Sequence, residues 1–317
     1  MKKKLVSGLL AAAMMTAMFA GCGNNANTSA ENAGSSTAVT ASGDGAAEST
    51  ETAAAAGGSY EEKKVLRVAM ECAYAPFNWT QETEDVANGD KAVKITNGEG
   101  YAYGYDVKTA QMLADALGWD LEIYKTEWSA IVLGLDAGDY DCIIGGMCYS
   151  EERDKTLDFT TPYYIRDVVL TVKEDGSYAD FTDVSQFDGM NPTVTTQIGT
   201  NFPNYYSQIP TAVEGTQYET TSEVFMAVKN GTADISVIDY PTSKSAVDTM
   251  AGLKILDIEL PVPDANSNDV CISMREGDTE LKELLQGAME KCGWTAENKD
   301  KFDAQMDEML EVQPAAN

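Results

Sequence analysis

The sequence predicts an α/β fold in two lobes of the same kind, and three observations carry that prediction. Along the body, apolar residues at helical spacing alternate with short buried apolar runs, the pattern of helices packed on a sheet. The stretches Gly138-Asp139-Tyr140-Asp141 and Gly231-Thr232-Ala233-Asp234 each close a helix and open a strand, so one grammar occurs twice. No Pro- or Ser-rich divider interrupts the roughly 250 residues from 63 to 313, a length that suits one large domain or two small lobes. Any two lobes must therefore be joined by short crossings.

Val65-Leu66-Arg67-Val68-Ala69 is the first strand, ended by polar residues and Pro76. The polar stretch 81–99 carries the turn signals Asn88-Gly89 and Asn97-Gly98 around Lys91-Ala92-Val93-Lys94-Ile95, which predicts a surface hairpin. A helix begins at Asp106, with Val107, Ala110, Leu113, Ala114 and Leu117 on one face and Gly118 at its end. Residues 121–124 form a strand. Trp128, Ile131, Val132 and Leu135 mark a second helix that Gly138 stops, and 141–144 is a short buried strand. In the second lobe Val224, Phe225, Ala227 and Val228 face one side of a helix that follows Ser222 and ends at Gly231, and 234–238 is a strand. After Pro261 and Pro263, residues 270–274 make a last strand. Two helices close the chain, one through Leu281, Leu284, Leu285, Ala288 and Met289, the other through Phe302, Met306, Met309 and Leu310.

The residues before this body have another character. Lys2, Lys3 and Lys4 precede an apolar run over 5–19, shorter than the ~20 residues that a membrane-spanning helix needs, so it reads as an export signal. Phe19-Ala20-Gly21-Cys22 resembles the lipobox of bacterial lipoproteins, which implies a signal peptide over 1–21 and a lipidated Cys22; the alternative is an ordinary signal peptide with an incidental cysteine. Residues 23–59 are almost all Ala, Gly, Ser, Thr, Asn and Glu and cannot bury enough apolar surface to offset their ordering entropy. They read as a tether, with folded structure expected from about Lys63. The resulting organisation is a lipidated cysteine and tether over 22–62, a first lobe over 63–168 plus 269–317, and a second lobe over 169–268.

Composition narrows the function. The 317 residues hold no histidine, which excludes imidazole-dependent catalysis and histidine-ligated metals. With 22 Lys+Arg against 51 Asp+Glu, the net charge of −29 argues against a nucleic-acid partner, because phosphate binding needs clustered cations. Five cysteines follow Cys22 (Cys72, Cys142, Cys148, Cys271 and Cys292); an odd number leaves at least one thiol free, no pair has metal spacing, and most read as small buried hydrophobes. No cofactor or metal is expected.

Ligands of open α/β sheets bind beyond the carboxyl ends of the strands. That rule selects Glu71 and Tyr74 after the first strand; Gly145, Gly146, Met147 and Cys148 after 141–144; Gly199, Thr200 and Asn201 after 194–196; and Asp239 after 235–238. Arg153 lies a few residues past Cys148, and Trp128 adds a second aromatic. One guanidinium, two carboxylates, two rings and Gly-bearing turns complement a zwitterion with a side chain. Each has a plainer alternative: Arg153 as a surface ion pair with Glu151 or Asp154, Trp128 as core, Asp239-Tyr240-Pro241 as a turn.

Taken in order, Leu66-Arg67-Val68, Tyr74-Ala75-Pro76-Phe77, Gly104-Tyr105-Asp106-Val107, Glu127-Trp128, Ile143-Ile144-Gly145-Gly146-Met147, Ser150-Glu151-Glu152-Arg153, Asp158-Phe159-Thr160-Thr161-Pro162-Tyr163-Tyr164, Gly199-Thr200 and Asp239-Tyr240-Pro241 resemble the extracellular solute-binding proteins of polar amino-acid ABC transporters, the family-3 group. The resemblance covers about 63–313. It implies a two-lobed periplasmic-binding-protein-like fold of type II, with two crossing hinge strands and an amino acid in the inter-lobe cleft. It implies further that Arg153 forks the ligand α-carboxylate, helped by N–H groups near Cys148 and Thr200. Asp239 and the Gly145 carbonyl would take the α-ammonium, Tyr74 and Trp128 would sandwich the side chain, and Glu71 would meet its polar tip. Cys148 departs from the usual Ser or Thr, and the 81–99 insert is longer than in simpler members. The implied protein is a non-enzymatic, monomeric, lipid-anchored binder on the extracytoplasmic face of a bacterial cell membrane, partnered by ABC permease subunits. Its alternatives are a cyclohexadienyl dehydratase-like enzyme using Glu71 or Asp239 as an acid, or a sensor for a membrane receptor. Glu71 favours a basic or polar uncharged ligand over an acidic one, with an aromatic ligand lining Met147 as the runner-up.

Overall fold

Residues 59–295 and 298–314 are described by the structure, a computed structural model, and they are organised by three sheets. The first-lobe sheet runs Asp120–Lys125, Val65–Met70, Cys142–Ile143, Asp269–Arg275, Leu157–Ile165. The first three strands are parallel, and the last two are antiparallel to their neighbours. The second-lobe sheet runs Val213–Glu214, Thr193–Thr195, Ile235–Asp239, Val168–Lys173, Leu253–Ile255, again three parallel strands followed by two antiparallel pairings. In each sheet the fourth strand is the one that has just arrived from the other lobe. The expected two-lobed α/β architecture with two crossings is therefore the observed one; the first crossing is 166–167, and the second lies within the connection 256–268.

Alternation along Val65–Met70 shows why this segment is a central strand. Leu66, Val68 and Met70 enter one apolar cluster with Phe77, Tyr103, Leu113, Ile272 and Leu285, while Ala69 enters a second with Trp128, Ile131, Ile143 and Phe159. Helices Tyr105–Leu117 and Thr279–Cys292 cover the first face, and Ile131–Ala137 covers the second. The second lobe has its own core around Leu170, Val194, Phe225, Ile235 and Val237. Each lobe thus has an apolar core of its own.

Several expectations change. The stretch 81–99 is not an isolated hairpin: Val93–Lys94 pairs with Tyr101–Tyr103, which joins Asn78–Gln81 and Ala73–Tyr74 in a four-stranded sheet. The nine-residue strand Leu157–Ile165 was not foreseen, because Pro162 breaks its pattern; the pairing with Asp269–Arg275 shifts register beside that proline, which has no N–H to donate. Asp239-Tyr240-Pro241 is not a turn but the start of helix Tyr240–Thr249. The folded body begins before Lys63: Tyr60 is buried, stacks on Trp119, donates to Asp278 at 2.6 Å and accepts from Arg275 at 3.0 Å. The signal, Cys22 and the tether as far as residue 58 lie outside the described residues. All five cysteines within them are free, four of them buried.

Candidate functional site

The carboxyl ends of both parallel sets face each other across the lobes, and the polar side chains there pair between lobes. Asp239 ends strand Ile235–Asp239 with no exposure, where it also caps the helix that follows: one carboxylate oxygen accepts from the Thr242 N–H at 2.9 Å. Its other oxygen accepts from the Tyr74 hydroxyl of the first lobe. Burial, then the Asp239 charge, raises the Tyr74 pKa well above the ordinary phenol value. The Tyr74 ring stacks on Phe77 with 4.8 Å between centres.

Glu71 follows strand Val65–Met70 and is 6% exposed. One of its oxygens accepts from Gln197 Nε2 of the second lobe at 3.0 Å, and the other has no partner among the described residues. Burial pushes its pKa up to about 7, against the opposing effect of the Gln197 hydrogen bond. Gln197 Nε2 also reaches the Glu219 carbonyl at 2.8 Å, and Glu219 accepts from the Ser129 N–H at 2.9 Å.

The loop after Cys142–Ile143 is held from below. Gly146, at φ +72°, donates its N–H to the Tyr163 hydroxyl at 3.1 Å, and Tyr163 donates in turn to the fully buried Asp106 at 2.7 Å. A Cβ on Gly146 would stand 2.4 Å from the Tyr74 ring. Gly146→Ala is therefore expected to cost about 1–3 kcal/mol through overpacking and to displace Tyr74. Urea denaturation checks the stability loss, and an unchanged midpoint would show that the loop can yield. Met147 turns its side chain away from the lobe boundary into the core cluster beneath Trp128, where its sulfur lies 3.3 Å from the Ser273 hydroxyl. It offers backbone rather than an apolar wall. Gly145 packs over Met70, and Cys148 is buried with its thiol pKa raised by burial.

Arg153 makes no ion pair among the described residues, so the pairing with Glu151 or Asp154 is not formed; Asp154 accepts from Tyr149 instead. Its guanidinium donates to the Cys148 carbonyl at 2.7 Å and, across the lobes, to the Gly199 carbonyl at 2.8 Å, and it lies 5.9 Å from the Trp128 ring. Burial lowers its pKa, and the positive charge of Arg166 adds to the effect. A cavity of about 750 Å³ opens beside it, lined by Tyr149, Arg153, Gly199, Thr200, Asn201 and Ser267 among others. The Thr200 hydroxyl is turned back to the Gln197 carbonyl at 2.8 Å.

The sequence reading missed Arg166, on the first crossing. It is 3% exposed, stacks on Phe202 at 4.2 Å and donates to the Asn201 side chain, while Asn201 donates to the Ser267 carbonyl on the second crossing. No motif singled it out; the available signal was that it is one of only four arginines in the chain. The site is therefore polarised. Arg153 and Arg166 are bonded to Gly199 and Asn201, Asp239 to Tyr74, and Glu71 to Gln197, where the charges acting on it are those of Glu219, Lys125 and Glu223 and no arginine.

Residues 66–302 match the model of bacterial extracellular solute-binding proteins, family 3. Among curated proteins, the L-cystine-binding protein TcyJ of Escherichia coli is 27% identical over 195 residues, 60% of this chain. The chain spans 66% of that relative's length, just under two thirds. Among solved structures, an amino acid ABC transporter substrate-binding protein from Streptococcus pneumoniae bound to L-arginine matches at TM-score 0.65 and 22% identity, covering 80% of this chain and 97% of that one. An ancestral amino acid-binding protein, a precursor of cyclohexadienyl dehydratase, matches at 0.60 and 24%, covering 80% and 96%. These likenesses agree with the fold built above.

Proposed function

We propose that this chain, which belongs to the bacterial extracellular solute-binding proteins, family 3, encloses a free L-amino acid between its lobes and delivers it to an ABC importer. The observation that carries the reading is the separation of charge at the lobe boundary. A guanidinium without an ion pair among the described residues, Arg153, and a fully buried carboxylate, Asp239, complement the two ends of a zwitterion. The Tyr74 hydroxyl and the Gly199 carbonyl that these groups now engage are neutral, so a charged ligand offers each the stronger partner. Thermal unfolding against the twenty amino acids tests it. A binder at 100 times its Kd should gain about 2.7 kcal/mol of stability, and no shift with any of them defeats the reading.

Glu71 supports a basic or polar uncharged side chain. The relative is named for L-cystine and the structural neighbour is bound to L-arginine; both ligands carry a cationic group far from the first α-carbon, in L-cystine beside a second carboxylate. The apolar lining that an aromatic ligand would need is weakened by the inward turn of Met147. Because the Glu71 pKa is about 7 in the folded protein, affinity for a cationic ligand should rise with pH up to about 7 as the carboxylate forms. Glu71→Gln should remove that rise and cost tenfold or more in affinity, roughly 1.4 kcal/mol. Calorimetry at pH 5.5 and 8 checks it, and a pH-independent wild-type affinity would remove Glu71 from the ligand. The same raised pKa lowers stability as pH climbs from the unfolded value near 4.5 to about 7, since the native state binds the extra proton.

The proposal includes lipid attachment at Cys22 on the extracytoplasmic face of the cell membrane, with residues up to 58 as the tether and the folded body as a monomer. Cys22→Ala should move the protein from the membrane to the soluble fraction, and continued membrane retention would refute the anchor. A second reading, a dehydratase-like enzyme, draws on the Glu71 carboxyl, whose pKa of about 7 suits a general acid. Turnover of a cyclohexadienyl substrate that Glu71→Gln abolishes would establish it in place of binding alone.

A further inference from the structure

The chain has four arginines, and the structure divides them cleanly. Arg67 is ion-paired with Asp141 at 2.6 Å, and Arg275 with Asp278 at 3.4 Å, both within the first lobe. Arg153 and Arg166 have no carboxylate within ion-pairing distance among the described residues, although the chain carries a net charge of −29. The Arg166 charge disfavours the Arg153 charge, both act on the Cys148 thiol, and the Asp239 charge supports Arg166. Holding a buried guanidinium near a second one is costly, and the one carboxylate whose charge acts on Arg166, Asp239, is not ion-paired with it.

Arg166 is the more deeply buried of the two. Of its donors, Nη2 is used by Asn201, while Nε has no partner among the described residues. Its backbone N–H bonds Asn268 on the second crossing at 3.1 Å, so the residue sits on the axis about which the lobes join. Cys148, Tyr74, Asp239 and Tyr205 act on its charge, the first three being candidate-site residues, and Asn201 and Ser267, to which it is linked, line the cavity beside Arg153. A side chain meant only to stiffen the crossings would have its donors satisfied by them. This one keeps a donor unused among the described residues, and its partner Asn201 lines the same cavity as Arg153.

We propose that Arg166 is a second carboxylate-binding residue, so that the ligand's α-carboxylate is held by two guanidinium groups, Arg153 from the first lobe and Arg166 from the crossing. The proposal rests on the amino-acid reading of the site and deepens it. It makes a free α-carboxylate the strictest requirement of the protein: α-amides, esters and decarboxylated amines such as agmatine leave two buried cations unanswered, whatever their side chain. Because one of the two arginines lies on the crossing itself, the same contact ties carboxylate recognition to the relative orientation of the lobes.

The test compares acid and amide. The best binder among the twenty amino acids is titrated against its α-carboxamide, with L-arginine and L-argininamide as the first pair, in wild type, Arg166→Gln, Arg166→Lys and Arg153→Gln. Wild type should prefer the acid by a hundredfold or more. Arg166→Gln should lose at least tenfold for the acid and little for the amide. Arg166→Lys keeps a cation on the crossing but loses the fork, and should lie between them. Arg153→Gln, which leaves the crossing intact, should still prefer the acid at least tenfold, and this holds the proposal open to refutation even if both Arg166 variants fail to fold. If no amino acid binds, the functional reading falls and the Arg166 assignment with it. If one binds and Arg166→Gln changes nothing, weakens acid and amide equally, or Arg153→Gln erases the acid preference, Arg166 is a positioning residue of the crossing and the carboxylate has one guanidinium only.

Discussion

Arg153→Ala is expected to lower amino-acid affinity by roughly 30-fold or more, because removing one partner of a buried, hydrogen-bonded charge pair costs about 2–5 kcal/mol. Two structural effects add. The ligand carboxylate loses a fork, and the Cys148 and Gly199 carbonyls lose the donor that joins them across the lobes. The fold itself should be little affected, since neither carbonyl belongs to a sheet ladder and the side chain is only half-buried. Isothermal titration with the cognate amino acid, with unfolding of the free protein as a control, separates the two. An affinity within a factor of two of wild type would take Arg153 out of the site.

Asp239→Asn isolates charge from shape. Asparagine caps a helix about as well as aspartate, so Tyr240–Thr249 keeps its start, while the amide NH2 replaces the oxygen that faces Tyr74, whose hydroxyl must then accept instead of donate. What disappears is the negative charge opposite the α-ammonium. A tenfold or larger loss of affinity is expected, smaller than for Arg153→Ala because the ammonium retains carbonyl contacts. Asp239→Ala should lose the cap as well, about 1 kcal/mol of stability. If Asn and Ala variants bind equally well and only stability differs, Asp239 is a capping residue and the ammonium is bound elsewhere.

The elements that were legible in the sequence are those whose pattern is local. Helices such as Tyr105–Leu117 and Thr279–Cys292 declare themselves by apolar spacing and a closing glycine, Gly118 and Gly293. The Gly-Asp-Tyr-Asp and Gly-Thr-Ala-Asp pair did mark helix-to-strand junctions in both lobes. The strand through Pro162 was hidden because its ladder depends on a partner roughly a hundred residues away, which no short window contains. Likewise Arg166 has no local signature: its significance comes from Asn201, Phe202, Ser267 and Asn268, brought to it by two separate crossings. Backbone position alone selects Met147, but the pleat that sends its side chain inward is decided by the Trp128 and Ser273 packing. Tyr60 was assigned to the tether because nothing in Ser59-Tyr60-Glu61-Glu62 predicts the distant Trp119, Arg275 and Asp278.

The order of strands in the first-lobe sheet bears on how the molecule is assembled. Every strand of the second-lobe sheet comes from one unbroken stretch, Val168–Lys173 through Leu253–Ile255, whereas the first-lobe sheet receives Asp269–Arg275 only after that stretch has been made. The second lobe can therefore reach its native pairing alone, while the first waits with Cys142–Ile143 and Leu157–Ile165 unjoined. Bringing those partners together closes a long loop, and long loops close slowly unless their interior is already folded. Formation of the second lobe draws the ends of that loop to neighbouring points, so the inserted half acts as an internal template for completing the half that encloses it.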